Sequence, residues 1–130
     1  MSELERVMHI EDDPSIREVA RIALEVVGGF IVKSCSSGQE GLDALKQFTP
    51  DLILLDVMMP GMDGPQTLAH LRTLPETDNI PVVFMTAKVQ PSEVAEYQRL
   101  GAAMVITKPF DPMTLPDQIR AIWRDWHGQD

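Results

Sequence analysis

Short apolar runs alternate with stretches of helical periodicity along the whole chain. Strands are predicted at residues 6–10, 30–34, 52–56, 82–85 and 104–107. The clearest is Leu52-Ile53-Leu54-Leu55, which lies between Asp51 and Asp56 and has no polar face. Such a run suits a strand covered on both sides of a parallel sheet. Between the first two strands, Ile16, Val19, Ala20, Ala23, Leu24 and Val27 recur at helical spacing, with Asp13-Pro14 as a start signal and Gly28-Gly29 as a stop. That stripe is expected to lie on the sheet. Ser37-Gly38-Gln39-Glu40 has capping-box spacing and opens a second helix that carries Leu42 and Leu45 and is ended by Pro50. A third helix is predicted from Pro65 to Leu74, and a fourth, with a thin apolar stripe, from Ser92 to Leu100. The last is announced by Asp111-Pro112 or by Thr114-Leu115-Pro116-Asp117 and bears Leu115, Ile119, Ile122, Trp123 and Trp126 on one side. Pro116 favours the later start, because a proline deeper in the helix removes a backbone bond. Strands alternating with helices imply right-handed crossovers and a parallel α/β sheet with helices on both faces.

Composition narrows the function more than the fold. At 130 residues the chain fits one domain, residues 1–130, and it ends soon after the fifth helix, so no effector domain is expected. A formal net charge of -9 argues against direct nucleic-acid binding or an anionic membrane surface. With one cysteine, Cys35, and no leader-like or spanning apolar run, a cytoplasmic protein is expected. Cys35 is read as a small strand-end residue, and Met58, Met59, Met62 and Met85 as adaptable packing around a loop. Trp123 is expected to be buried, whereas Trp126 is balanced between burial and a partner contact. His9, His70 and His127 share no motif.

The polar residues at strand ends carry the chemistry. In a doubly wound sheet the C-terminal ends of the strands converge on one crevice, which brings Glu11, Asp12, Asp56, Thr86 and Lys108 together from distant positions. Three crowded carboxylates repel one another. A divalent cation with hard oxygen ligands, Mg²⁺ above all, relieves that repulsion. An acid pair beside a lone carboxylate resembles a magnesium-assisted phosphoryl-transfer site. Asp13 is assigned to the cap of the first helix.

Four motifs, in order, resemble the receiver domain of two-component response regulators, the CheY-like family, over nearly the whole chain. They are Ile10-Glu11-Asp12-Asp13-Pro14, Leu54-Leu55-Asp56-Val57-Met58-Met59-Pro60-Gly61-Met62-Asp63-Gly64, Met85-Thr86-Ala87 and Thr107-Lys108-Pro109-Phe110. The resemblance implies a flavodoxin-like (βα)5 three-layer sandwich with sheet order 2-1-3-4-5. It implies that Asp56 takes a phosphoryl group from a phosphohistidine on a sensor histidine kinase or a histidine phosphotransfer protein. Asp12 would ligate Mg²⁺ directly, Glu11 through water, and Asp56 and the Met58 backbone carbonyl would complete the protein ligands. Thr86 and Lys108 would each contact a phosphoryl oxygen, with the Lys108-Pro109 bond cis. The product would be a population shift of roughly 1–3 kcal/mol that changes a protein-binding surface, read by a downstream effector protein or by a second copy in a phosphorylation-dependent homodimer. Such a domain is a regulatory phosphoacceptor that assists its own phosphorylation and dephosphorylation, not an enzyme acting on an external substrate.

One position departs from the family pattern. Receivers carry Tyr or Phe three residues before the lysine, where this chain has Val105. Coupling would then run through the loop after Thr86 or through the fourth helix, and Lys88 is placed to influence hydrolysis of the phosphoryl group. Two other functions compete with the switch. A phosphate-independent pseudo-receiver would keep the fold alone, against which the intact site residues speak. An aspartyl-phosphate phosphohydrolase needs a second carboxylate two residues after its nucleophile, and Met58 stands there.

Overall fold

The apolar runs become strands because only a covered parallel sheet removes both of their faces from water. The computed structural model describes residues 3–87 and 89–128. In chain order these form β1 (Arg6–Ile10), α1 (Pro14–Ile22), a π-helical turn (Ala23–Val27), β2 (Ile31–Cys35), α2 (Gly38–Ala44) and β3 (Leu52–Asp56). There follow α3 (Gly64–Leu71), β4 (Val82–Thr86), α4 (Pro91–Arg99), β5 (Met104–Thr107) and α5 (Leu115–Gly128). All four strand pairings are parallel, in the order β2-β1-β3-β4-β5. Every residue of β3 and β4 is buried, while β2 and β5 at the edges keep exposed positions.

Two apolar clusters fill the three layers. On one face Val7, Leu52, Leu54, Val83 and Met85 meet Ala23 and Leu24 together with Leu115, Ile119 and Trp123 of α5. On the other, Met8, Ile10, Ile53, Leu55, Val82 and Phe84 meet α3 through Leu68 and Leu71, with Leu42 and Tyr97 packed at the margin. The even and odd positions of each strand divide between the faces, as a pleated strand requires.

Most element limits fall within a few residues of expectation, and the differences have local causes. β2 begins at Ile31, not Phe30, because the Ile31 amide joins the Glu5 carbonyl at 2.8 Å. In the first helix Ala20, Ala23 and Leu24 are buried, but Val19 and Val27 are 44% and 42% exposed. The final turn widens to a π-helix, which rotates the stripe relative to regular helical spacing. The capping box predicted at Ser37 is half formed. Ser37 Oγ accepts from the Glu40 amide at 3.0 Å, but the Glu40 carboxylate reaches Ser36, at its amide and its hydroxyl, instead of the Ser37 amide. A complete box forms at Asp63 and Gln66, its cap two residues before the predicted start of α3 at Pro65. α5 starts at Leu115, as Pro116 requires. Trp123 is buried, and Trp126 donates to the Asn79 carbonyl at 3.1 Å within the chain.

A polar crevice at the C-terminal strand ends

Backbone register carries the site residues to one end of the sheet. β1 ends on Ile10, opposite Leu55 of β3 and Cys35 of β2, so the next residue, Glu11, comes level with Asp56. Asp56 is in register with Met85, and Thr86 with Thr107, after which the chain turns into Lys108. The Lys108 amide donates to the Thr86 carbonyl at 3.0 Å, and the Lys108-Pro109 bond is cis. Glu11, Asp56 and Thr86 are buried.

Lys108 is the centre of the charge arrangement. Its Nζ lies 2.9 Å from Asp56 Oδ1 and 2.9 Å from Glu11 Oε1, linking residues 52 and 97 positions apart. The second Glu11 oxygen accepts from the Asp13 amide at 3.2 Å. Both Glu11 oxygens are therefore engaged. Asp13 caps α1, accepting from the Ser15 and Ile16 amides at 2.8 and 3.2 Å. Thr86, at the end of β4, is 3% exposed.

Burial sets the electrostatics. It pushes the Glu11 carboxyl up to about 7, against the opposing pull of Lys108. Burial also raises the Asp56 carboxyl, again opposed by Lys108. For Lys108, burial pulls the ammonium down, but hydrogen bonds to Asp56 and Glu11 outweigh it and leave the group above its ordinary value. Glu11, Asp12 and Asp56 each offer an oxygen, and these oxygens lie within 4.8 Å of one another. Were all three carboxylates ionised, one ammonium would leave two negative charges, the number that one divalent cation cancels. The all-oxygen donor set fits a hard cation such as Mg²⁺.

Two contributors escaped the sequence reading. Arg17 donates to the Glu11 and Asp12 carbonyls at 2.8 and 3.3 Å and so ties the acidic turn to α1. Its only sequence signal is its place one turn inside the predicted helix. Gly64 lets the start of α3 press on the end of β3: a Cβ there would stand 2.7 Å from the Asp56 carbonyl oxygen and 2.8 Å from Val57 Cα. The Asp-Gly pair before the helix was its sequence signal. His9 is fully buried on β1, with both ring nitrogens lacking a hydrogen-bond partner among the described residues, and burial followed by the Lys108 and Arg17 charges lowers it to about 4. Of the methionines, Met59 and Met85 pack inside while Met58 is 70% exposed at the mouth. Cys35 is buried, which pushes its thiol up to about 11. Lys88 lies outside the described residues.

A doubly wound sheet with acids, a hydroxyl and a lysine at its C-terminal ends defines a CheY-like signalling domain. Comparison with known proteins agrees: the family described as the response regulator receiver domain matches residues 7–120. The chain is 38% identical over 124 residues to the transcriptional regulatory protein CseB of Streptomyces avermitilis, covering 95% of this chain and 51% of that protein. It is 37% identical over 119 residues to the phosphate regulon transcriptional regulatory protein PhoB of Escherichia coli, covering 92% and 52%. The chemotaxis response regulator CheY4 of Vibrio cholerae superposes with a TM-score of 0.85 at 27% identity, covering 92% of this chain and 98% of that one. The chain belongs to the receiver-domain family of two-component response regulators. It spans about half the length of the curated relatives it matches. Among the described residues no helix is long and apolar enough to cross a membrane.

Proposed function

We propose that the chain is a phosphoacceptor switch in which Asp56 accepts a phosphoryl group from a phosphohistidine on a sensor histidine kinase or histidine phosphotransfer protein. The observation that carries this reading is Lys108 Nζ at 2.9 Å from Asp56 Oδ1, inside a cluster with Glu11 and Asp12. An Asp56 oxygen attacks phosphorus, an O–P bond forms, the P–N bond to the imidazole breaks, and an acyl phosphate results. Lys108 transfers its ion pair from the Asp56 carboxylate to a phosphoryl oxygen, a short move for a flexible ammonium. Thr86 hydrogen-bonds a second oxygen. Asp12, Asp56 and the Met58 carbonyl, with Glu11 acting through water, would hold Mg²⁺, which would screen the repulsion between the carboxylate and the incoming group. Met58 offers no acid for protonating a leaving alcohol, so the domain promotes its own phosphorylation and dephosphorylation and not turnover of external esters. The reading includes a cytoplasmic location, a downstream protein partner, no direct nucleic-acid contact by this domain, and a homodimer that depends on phosphorylation. Over residues 1–130 it includes one receiver unit.

The test is intact mass measurement after incubation with Mg²⁺ and acetyl phosphate. A phosphoryl adduct that needs Mg²⁺ and is absent from Asp56→Asn is the expected result. No adduct in either chain would favour the pseudo-receiver, and sustained consumption of donor far beyond stoichiometry the hydrolase.

A further inference from the structure

The switch needs a lever between Thr86 and the protein surface, and Val105 is too small to be one. Phe84 and Thr86 are two residues apart on β4, so their side chains share a face of the sheet. Phe84 is fully buried and in register with Val105 of β5. Beside it lies a ring from another element: Tyr97 of α4 meets Phe84 edge-on, with centroids 5.2 Å apart and planes at 90°. Tyr97 and Val105 are both half-buried against the cluster that contains Phe84.

We propose that Tyr97 is the positioning residue that carries the state of the phosphoryl site to the α4 surface, supplying from α4 the ring that β5 lacks. This rests on the phosphoacceptor reading of Asp56. Every residue of β4 is buried, so a shift of Thr86 toward a phosphoryl group meets close-packed neighbours and passes along the strand face to Phe84. The element with slack is α4. None of its residues is buried, its N-cap Gln90 supplies no side-chain capping hydrogen bond, and it packs chiefly on β5. Edge-to-face ring pairs are directional, so movement of Phe84 re-aims Tyr97 and with it the helix. The output is therefore a displacement of α4 itself and not the swing of a ring on β5.

Tyr97 is the one tyrosine of the chain, which makes the proposal directly readable. With 3-fluorotyrosine incorporated, acetyl phosphate and Mg²⁺ are expected to shift or split a single fluorine resonance in step with the mass adduct. Amide exchange across Pro91–Arg99 is expected to change on the order of fivefold or more. Tyr97→Leu should form the adduct in the same yield yet lose most of that change, and Tyr97→Phe should keep it. A fluorine signal indifferent to the adduct, or an α4 response in Tyr97→Leu equal to that of the unsubstituted chain, overturns the proposal. The fluorine measurement needs no substitution and decides the matter if Tyr97→Leu does not fold. Absence of the adduct from the unsubstituted chain removes the phosphoacceptor reading and the lever with it.

Discussion

Aspartates bracket β3, Asp51 before it and Asp56 at its end, and their surroundings are opposite. Asp51 Oδ2 accepts from the Glu5 and Arg6 amides at 3.1 and 2.9 Å, so its partners are backbone dipoles. Asp56 faces an ammonium and two other carboxylates, all on side chains. Apart from Arg17, which holds the Glu11 and Asp12 carbonyls, the cations near the two ends differ in the same way. Near the N-terminal strand ends, Arg72 donates to the carbonyls of Thr77, Ile80 and Gly101 at 2.9, 2.9 and 3.0 Å, and Arg6 reaches Thr49 and lies over the Phe48 ring. At the other end Lys108 holds only carboxylates. Backbone partners cannot leave without unfolding, so one end of the sheet is fastened. Side-chain partners can be exchanged for a cation and a phosphoryl group, so the other end is free to change state.

Exchanging the two aspartates' fates gives the largest contrast. Asp51→Asn should retain the full phosphoryl adduct that Asp56→Asn loses, by intact mass. Next, Arg72→Met should cost about 3 kcal/mol in urea unfolding, since it orphans three carbonyls, and Mg²⁺ should not restore it. Lys108→Met should cost less at neutral pH, about 1–2 kcal/mol, because Glu11 and Asp56 can take up protons, and Mg²⁺ should recover most of it. Equal rescue of both variants would erase the distinction between fastened and exchangeable ends.

The pH dependence sharpens the picture within the crevice. Glu11 holds its proton to about 7 when folded but ionises near 4.5 when unfolded, so its contribution favours the fold at low pH and is withdrawn as pH rises across that interval. Asp56, also raised, acts in the same direction. His9 runs the other way: lowered from 6.5 to about 4, it favours the fold above 6.5 and loses that contribution as pH falls toward 4. From pH 4.5 to 6.5 the slopes of Glu11 and His9 should offset each other in the unsubstituted chain, and Asp56 adds to the Glu11 side. Glu11→Gln should tilt the denaturation midpoint upward with pH, and His9→Val downward. Tilts of the same sign in both variants would refute this account. The smallest effect is the stability cost of Asp51→Asn, about 1 kcal/mol, read from the same urea curves.

Much of this was legible along the chain. The strand predictions fell within one residue of β1 to β5 because a run such as Leu52 to Leu55 fits no half-exposed element. Asp13 as a helix cap, the late start at Leu115 and the burial of Trp123 also followed from local rules. The helix stripe was followed only in part: Val27 is exposed where the turn widens to a π-helix, which regular spacing does not foresee, and Val19 is exposed within the regular α1. Glu40 chose Ser36 over the cap Ser37 because Ser36 offers two donors, its amide and its hydroxyl, to the two carboxylate oxygens. Trp126 looked available to a partner until the α3–β4 connection brought the Asn79 carbonyl beneath it.

Local periodicity and the order of the motifs were enough to determine the number of strands, their burial and the gathering of polar residues at their C-terminal ends. Those properties depend on neighbours a few positions away, where spacing translates directly into geometry. Only the tertiary structure decided that Lys108 grips Glu11 and Asp56 together, that Gly64 makes room for α3 against Asp56, and that the ring facing Phe84 comes from Tyr97. Each of these is a contact between separate elements, set by strand register and by how closely helices can approach the sheet, and no local pattern encodes either.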